Sequence, residues 1–286
     1  MTKSAAKIEP DRVSDLIREC AATYIMPRFK KLEQGHISTK TGPNDLVTIA
    51  DRETEEALDK ALTKMYPGSV VIGEEGISAG LKSVDVLQDR SKIVWVTDPV
   101  DGTYNFVHGN DEFAVMLACV IDGETQFGWI YDVPGNRMMA AEKGSGAFMD
   151  GKRLKVAAAK PLKESKGFTG SRYFPKHLRP LVKSFVKEFD AMHTLSCAGH
   201  EYLRLVSGGY DFSIYNRIRP WDHLAGTLAL KEAGGLVAKW DGSPYTPQDD
   251  LGGLVNASNE GLMIALQQRI ISRLLAEYDN NKSASS

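Results

Sequence analysis

Apolar residues in the first half of the chain change from a helical to a strand-like period. Val13, Ile17 and Cys20 recur at helical spacing within residues 11–33, which predicts an amphipathic helix. A short LVTIA strand follows, and a second helix is predicted to open near Asp51. Beyond it, short apolar runs are separated by turn sequences such as DGET, which is typical of hairpins. The first half is therefore predicted to hold two helices and a mainly antiparallel sheet.

After about residue 155 the pattern changes to alternating helices and strands. The segments CAGHEYLRLVSG and PWDHLAGTLALKEAGG are typical of helices, whereas YDFSIY, LVAKW and LVNAS are typical of strands. A closing helix is predicted over residues 260–278. We therefore expect two domains that pack directly against each other, an α+β domain over 1–155 and an α/β domain over 156–286.

Composition and charge restrict the classes of partner. The chain is 42% hydrophobic and 25% charged with a net charge of −2, so no general basic field attracts nucleic-acid polymers or anionic membranes. Its three cysteines, Cys20, Cys119 and Cys197, form no C-x-x-C pair. We also find no signal-peptide pattern and no apolar run long enough for a membrane span. These observations favour a cytoplasmic protein.

Several acidic residues fall at strand ends or helix starts, where catalytic groups are common. Each alone has an ordinary structural interpretation, such as a helix N-cap or a turn. Together they would repel one another unless a cation neutralises them, and oxygen ligands favour Mg²⁺, Ca²⁺ or Mn²⁺. Two Mg²⁺ ions suit phosphoester hydrolysis. The residues are Asp45, Asp51, Glu74, Glu75, Asp98, Asp101 and Asp222.

The segment VTDPVDGTYNF leaves four interpretations open: a turn, a metal site, a phosphorylated aspartate or a binding loop. Phosphatases that form an aspartyl-phosphate use D-x-D-G-T after a buried strand. Here Asp98 and Asp101 are one residue further apart, and residues three apart in an extended strand point to opposite sides. The spacing therefore disfavours a phosphorylated aspartate.

Four segments resemble the motifs of one known family, the inositol monophosphatase family. DPVDGTYNF is similar to its D-P-[IVL]-D-G-T-x-N-F signature, and WDHLAGTLALKEAGG to its W-D-x-A-A-G-x-x-[IL]-x-x-E-A-G-G signature, with departures at Leu224 and Ala229. IGEEG resembles its G-E-E motif, and KTGPNDLVTIAD its K-x-x-x-x-D-x-V-T-x-x-D segment. The four occur in family order over nearly the whole chain.

The resemblance implies an α-β-α-β-α layered sandwich of the inositol monophosphatase and fructose-1,6-bisphosphatase type. It also implies Li⁺-sensitive phosphomonoesterase activity that depends on Mg²⁺, with about two or three ions per subunit and Mn²⁺ as a substitute. A homodimer is expected. By position, the implied metal ligands are Glu74, Asp98, the Val100 carbonyl, Asp101 and Asp222.

Further roles are implied by the same matches. Asp51 and Thr103 would orient and deprotonate the attacking water. The backbone N–H groups of Gly102 and Thr103 would hold phosphate oxygens. Lys40 and Glu75 would support a metal or its waters from outside the ligand set.

One of the residues expected to select the substrate differs from that of inositol-preferring members. Inositol-preferring members often carry a glutamate six residues before the tryptophan of W-D, and this chain has Tyr215, whose ring could stack on a planar group. Arg217 and Arg219 could bind a second phosphate or face solvent. His200 and Glu201 open a helix near the family's substrate contacts.

Two other motifs have ordinary interpretations. The lone Gly144-x-Gly146 is not followed by a long helix, so it predicts a hairpin rather than a dinucleotide-binding loop. The basic stretch SRYFPKHLRPLVKSF, which includes Arg172, could bind a polyanion, but a solvated helix face or a subunit contact is the favoured interpretation.

We therefore predict Mg²⁺-dependent hydrolysis of a small phosphomonoester that resembles inositol 1-phosphate. Alternative substrates are 3′(2′)-phosphonucleotides, histidinol phosphate and fructose 1,6-bisphosphate. The alternative from another class is a regulatory module that binds metal and phosphate without catalysis.

Overall fold

The computed structural model describes residues 7–32, 35, 37–39 and 46–283. Lys40 and Asp45, both singled out from the sequence, lie outside these ranges. The helices are α1 (Pro10–Cys20), α2 (Ile49–Met65), α3 (Glu74–Ser78), α4 (Thr103–Val107), α5 (Arg179–Ser184), α6 (Ala198–Val206), α7 (Pro220–Glu232), α8 (Glu260–Leu266) and α9 (Ser272–Ser283). Wider π turns extend α1 through Ala21–Ile25 and join α8 to α9 through Gln267–Ile271.

The strands form three sheets. They are β1 (Ile37–Thr39), β2 (Leu46–Thr48), β3 (Val70–Gly73), β4 (Ile93–Asp101), β5 (Ala114–Ile121), β6 (Glu124–Asp132), β7 (Arg137–Glu142), β8 (Gly146–Met149), β9 (Lys152–Arg153), β10 (Lys166–Phe168), β11 (Ala191–His193), β12 (Phe212–Tyr215), β13 (Leu236–Lys239) and β14 (Leu254–Ala257). The described part of the chain contains no helix that is both long and apolar enough to cross a bilayer.

The larger sheet has seven strands in the order β3-β4-β5-β6-β7-β8-β9, and β3 and β4 pair in parallel. Its other pairs are antiparallel, as the sequence predicts for the first half. The β5–β6 turn contains Asp122 and Gly123, both at positive φ, the geometry of a tight hairpin. The second sheet has the order β11-β10-β12-β14-β13 and mixes parallel and antiparallel pairs.

The layers alternate between helices and sheets. Helices α1 and α2 cover one face of the larger sheet over a core that includes Trp95 and Trp129. Helices α6 and α7 lie between the two sheets, and α8 packs beyond the second sheet on β14. This is the expected α-β-α-β-α sandwich. The division at residues 155 and 156 stays a prediction.

Helix α7 lies unusually close to its neighbours because glycines face them. A Cβ added at Gly226 would stand 2.1 Å from the Tyr202 ring, and one added at Gly128 of β6 would stand 2.8 Å from the Cα of Ala225. At the other end of α7, the Glu232 carboxylate accepts the N–H groups of Gly144 and Gly146 at 2.8 and 2.9 Å. Gly144-x-Gly146 is therefore the β7–β8 hairpin, as predicted, and it anchors the last turn of α7.

Two boundaries differ from those expected. Helix α2 begins at Ile49 rather than near Asp51, because Thr48 and Asp51 form a capping box that starts the helix two residues earlier. Strand β4 continues through Asp101, so the DPVD segment is not a separate turn. Asp98 pairs with Met116 and Asp101 pairs with Ala114, so β4 uses one more residue than β5 and forms a β-bulge.

Candidate active site

A cavity of about 1450 Å³ opens where the ends of β3, β4 and α7 meet loops of the second sheet. Carboxylate, arginine and tyrosine side chains all line it. We call Glu74, Asp98 and Asp222 the acidic centre. We call Arg172, Tyr173 and Arg217 the arginine rim.

The acidic centre brings together three predicted metal ligands from separate elements. Glu74 begins α3 directly after β3, Asp98 lies in β4, and Asp222 lies in the first turn of α7. One carboxylate oxygen of each lies within 4.8 Å of the others. Burial, followed by the nearby charge of Glu74, raises the pKa of Asp98 well above its ordinary value, and the same causes raise that of Asp222.

Such an arrangement fits a hard divalent cation. Three acids that repel one another in a buried place are stable together only when they are protonated or neutralised by a positive charge. The donor set consists of oxygen atoms, which suits Mg²⁺ or Mn²⁺.

The bulge in β4 explains how Asp98 and Asp101 serve one site. In a regular strand, residues three apart point to opposite faces, but an extra residue between them restores a common direction. Asp101 is 8% exposed, and its Oδ2 accepts the Cys197 thiol at 3.1 Å and the N–H of Gly199 at the start of α6. Burial raises the pKa of Asp101, and the Gly199 and Cys197 hydrogen bonds oppose that rise. Asp101 thus lies beside the acidic centre and is oriented by α6.

Asp51 and Thr103, the two residues predicted to act on water, lie in contact. The Thr103 hydroxyl is 3.3 Å from Asp51 Oδ1 and 3.0 Å from the Val100 carbonyl oxygen. Asp51 Oδ2 accepts the N–H of Thr48 at 2.8 Å and its hydroxyl. Asp51 is 1% exposed, so its carboxylate is fixed before any substrate arrives. The Val100 carbonyl lies at the same junction.

Gly102 adopts a conformation that favours glycine at the start of α4. Its φ is +87°, and an added Cβ would stand 2.8 Å from the carbonyl oxygen of Glu112. This geometry lets the chain turn sharply from β4 into α4, where Gly102 and Thr103 line the cavity.

Sequence reasoning missed Glu55, which holds the Glu74–Glu75 turn in place. Glu55 of α2 is 6% exposed, and its carboxylate accepts the N–H groups of Glu75 and Gly76 at 2.9 and 2.8 Å. Burial is the main cause of its raised pKa. Its position four residues after Asp51, on the same helix face, is the signal that could have revealed it. Glu75 itself lines the cavity.

Glu201 and Tyr215 both line the cavity and form a hydrogen bond with each other. The Tyr215 hydroxyl donates to Glu201 at 2.8 Å, and Glu201 also accepts the Thr194 hydroxyl and the Leu195 N–H at 2.8 Å each. Burial raises the pKa of Glu201 to about 7. His200 does not line the cavity, because its Nε2 lies 3.2 Å from the Phe113 carbonyl and 3.4 Å from Asp132.

The arginine rim joins two loops that are far apart in sequence. The guanidinium carbons of Arg172 and Arg217 lie 5.7 and 5.6 Å from the centre of the same Tyr173 ring. Arg219 also lines the cavity, but its guanidinium lies over Trp221, 5.9 Å from the ring centre. The sequence favours a solvated helix face or a subunit contact for Arg172, whereas in the structure it lines the cavity. Contacts between residues 172–173 and 217 leave no periodic signal.

Comparisons with known proteins agree with this geometry. A model of the inositol monophosphatase family matches residues 13–272. The fructose-1,6-bisphosphatase/inositol-1-monophosphatase of Thermotoga maritima is 34% identical over 207 residues, 72% of this chain and 76% of the relative. The inositol-1-monophosphatase of Bacillus subtilis is 31% identical over 233 residues, 80% of this chain and 84% of the relative.

Solved structures show the same architecture. The Thermotoga maritima IMPase superposes with a TM-score of 0.79 at 29% identity, covering 93% of this chain and 99% of that one. The structure of 2′AMP-bound SaIMPase-II superposes with a TM-score of 0.77 at 28% identity, covering 96% of this chain and 98% of that one. An inositol monophosphatase II from Staphylococcus aureus is also among the similar solved structures.

Proposed function

We propose, because the chain belongs to the inositol monophosphatase family, that its acidic centre hydrolyses a small phosphomonoester. Members of this family are phosphoric monoester hydrolases that depend on metal, so the chain is an enzyme of that class. The observation that carries the proposal is the convergence of Glu74, Asp98 and Asp222 within 4.8 Å. A purely regulatory module is therefore set aside.

The metal ligands that we propose are Glu74, Asp98, Asp101, Asp222 and the Val100 carbonyl. Bound Mg²⁺ supplies positive charge that neutralises these carboxylates and stabilises charge on the transferring phosphoryl group. Support for this set comes from the shared direction of Asp98 and Asp101 at the bulge and from the raised pKa of Asp98. We propose Mg²⁺ with Mn²⁺ as a substitute and Li⁺ as an inhibitor.

Water activation is assigned to Asp51 and Thr103. The Thr103 hydroxyl can accept a hydrogen bond from water while it donates to Asp51 Oδ1, and Asp51 is the base that takes the proton. The N–H groups of Gly102 and Thr103 at the α4 start would hold phosphate oxygens. Glu75 and Lys40 are proposed to support the site from outside the ligand set.

We also propose that the protein is a cytoplasmic homodimer. The preferred substrate that we propose resembles inositol 1-phosphate, and the alternative substrates are 3′(2′)-phosphonucleotides, histidinol phosphate and fructose 1,6-bisphosphate. Glu201 and Tyr215 are supported as selecting residues by their place on the cavity wall. The three buried free cysteines support a reducing compartment.

A phosphate-release panel in Mg²⁺ over these four substrates tests the proposal. Wild-type protein should release phosphate from at least one of them, and EDTA should abolish release. Asp98→Asn should lose about 10³-fold in kcat/KM because metal stabilisation of the transition state is worth several kcal/mol. Asp15→Asn, at an exposed position of α1, is the matched control. Wild-type turnover by Asp98→Asn would contradict the proposed site.

A further inference from the structure

We propose that Cys197 is a positioning residue for the reaction, because its thiol donates a hydrogen bond to the Asp101 carboxylate and so holds that proposed metal ligand in place. This inference rests on the proposed function, which assigns Asp101 to the metal. Cys197 acts through Asp101 and takes no part in bond making or breaking.

The contact between Cys197 and Asp101 has a defined direction. Cys197 Sγ lies 3.1 Å from Asp101 Oδ2 and 3.5 Å from the Asp101 backbone carbonyl oxygen. An ionised carboxylate and a carbonyl only accept hydrogen bonds, so the thiol is the donor. The thiol is neutral when it donates. It therefore orients Asp101 without supplying positive charge, and the carboxylates of the site are left for a cation to neutralise.

A second donor to the same carboxylate oxygen comes from α6. The N–H of Gly199 also donates to Asp101 Oδ2. Residue 199 must be small for this approach, because an added Cβ would stand 3.1 Å from Oδ2 and 3.0 Å from the Cβ of Ala114. Rotation of the Asp101 carboxylate would break both hydrogen bonds. The N-terminal end of α6 thus fixes the orientation of Asp101.

Cys197 is itself held by the elements on either side of it. Its sulfur accepts the N–H of His200 at 3.4 Å, which makes Cys197 the N-cap of α6. A Cβ added at Gly102 would stand 3.1 Å from the Cβ of Cys197, so the cysteine packs directly on the turn from β4 into α4. Cys197 is 3% exposed. The thiol therefore lies where β4, α4 and α6 meet.

The segment before Cys197 is tied to α4. Asn105 of α4 donates to the carbonyls of Leu195 and Glu112 at 2.8 and 2.7 Å. Ser196 has a φ of +55°, a conformation that residues other than glycine rarely adopt. Such a conformation persists where the surrounding contacts impose it. The position of Cys197 is therefore set by the fold before a metal binds.

The orientation of Asp101 matters because other acids surround it. A carboxylate beside Glu74, Asp98 and Asp222 is repelled by them and turns away unless donors hold it. Groups that orient a metal ligand typically change metal affinity or activity by about 10- to 100-fold when they are removed. We therefore expect the Cys197 thiol to be measurable through the affinity for Mg²⁺.

Calorimetric titration with Mg²⁺ tests this role without the need for turnover. Cys197→Ala removes the donor and should weaken Mg²⁺ binding by about tenfold or more. Cys197→Ser keeps a donor at the same atom and should restore most of the lost affinity. Wild-type affinity in Cys197→Ala, or an affinity in Cys197→Ser as weak as that of Cys197→Ala, would overturn the proposal.

Cys197→Gly separates the hydrogen bond to Asp101 from the helix cap. Glycine is tolerated at an N-cap far better than alanine, but it has no side-chain donor. Cys197→Gly should therefore bind Mg²⁺ as weakly as Cys197→Ala. If Cys197→Gly instead recovers the wild-type affinity, the effect belongs to the cap of α6, and the positioning role is rejected.

Cys20→Ala is the matched control for the loss of a buried thiol. Cys20 is 4% exposed on α1 and does not line the cavity. Its replacement should lower the unfolding temperature and leave the Mg²⁺ affinity unchanged. If Cys20→Ala weakens Mg²⁺ binding as much as Cys197→Ala does, the effect is one of general stability, and Cys197 has no positioning role.

Failure of catalysis is distinguishable from failure of the positioning role. If wild-type protein releases phosphate from no substrate of the panel, the proposed function fails, and the order of Mg²⁺ affinities among the variants still decides the role of Cys197. If wild-type protein is active, the Mg²⁺ concentration for half-maximal phosphate release should rise in Cys197→Ala by the same factor as the dissociation constant. An unchanged concentration would contradict the proposal.

Discussion

The acidic centre and the arginine rim share one cavity but are held in different ways. Asp98 is 3% exposed and lies in a bulged central strand, whereas Tyr173 is 41% exposed and ends a single 3₁₀ turn, Ser171–Tyr173. Acids that repel one another must be held by a rigid frame, and the seven-stranded sheet and α7 supply it. The rim needs only two loops that are joined by side chains. The carboxylates proposed for catalysis thus belong to the core, whereas the arginine rim belongs to the surface.

The largest effect is expected from a change next to the acidic centre. Thr103→Val removes the hydroxyl that contacts Asp51 and should lower kcat by about 10²–10⁴-fold, the usual contribution of general base catalysis. Thr103→Ser keeps the hydroxyl and should restore most of the rate. Steady-state phosphate release in Mg²⁺ measures both, with Thr63→Val on α2 as the matched control. A Thr103→Val enzyme with wild-type kcat would remove Thr103 from the mechanism.

Glu201, which lines the same cavity as the two regions, should make stability depend on pH. Its folded pKa of about 7 exceeds its ordinary value of 4.5, so the folded protein binds more protons between these values. The free energy of unfolding of metal-free protein should therefore fall as pH rises from 4.5 to 7, by about 3 kcal/mol from this group. Urea titrations of Glu201→Gln should show a decrease that is smaller by about this amount, since the raised pKa values of Asp98, Asp222 and other buried acids act in the same direction in both proteins.

Glu260→Gln, at an exposed position, provides the control for the same change of side chain. If the wild type and Glu201→Gln lose stability in parallel over this pH range, Glu201 is not the group that titrates.

Removal of metal should separate stability from activity. Asp222→Asn should raise the unfolding temperature of the protein in EDTA, because it removes one of three repelling carboxylates. It should also lose most of the stabilisation by Mg²⁺, which is about 2.7 kcal/mol for wild type at a hundred times the Kd. Thermal unfolding with and without Mg²⁺ measures both the change in unfolding temperature and the loss of stabilisation by Mg²⁺. If Asp222→Asn unfolds at a lower temperature than the wild type in EDTA, the Asp222 carboxylate stabilises the metal-free fold instead of destabilising it.

The smallest effect concerns support for the acidic centre. Glu55→Gln weakens the acceptor for the Glu75 and Gly76 N–H groups and should lower Mg²⁺ affinity by about tenfold. Calorimetric titration with Mg²⁺ measures the change. The control is Glu53→Gln, which lies on the same helix as Glu55 and removes the salt bridge between Glu53 and Arg28. Equal affinities in the two variants would reduce Glu55 to a structural role.

The sequence predicts the acidic centre better than the rim for a physical reason. Glu74, Asp98 and Asp222 each lie in a contiguous motif of the family resemblance, Asp98 together with Asp101, and the layered fold follows from periodicity and from the same resemblance. The bulge that turns them to one side depends on pairing with Met116 and Ala114, which no local pattern encodes. Likewise, Arg172 and Arg217 reach the same Tyr173 ring from two segments that are distant in sequence, and the hydrogen bond from Asn216 to the Tyr173 carbonyl joins these segments. Non-local contacts of this kind appear only when the chain is folded.

The anchoring of α7 has a consequence for how the chain folds. Asp222 lies about 120 residues after Asp98, so the acidic centre closes one of the longer loops in the chain, and long loops form late. Asp222 in the first turn of α7 and Glu232, which accepts the N–H groups of the β7–β8 hairpin, belong to one helix, so both contacts require α7 to dock on the larger sheet. Uptake of Mg²⁺ during refolding should therefore be a kinetic marker of the docking of α7.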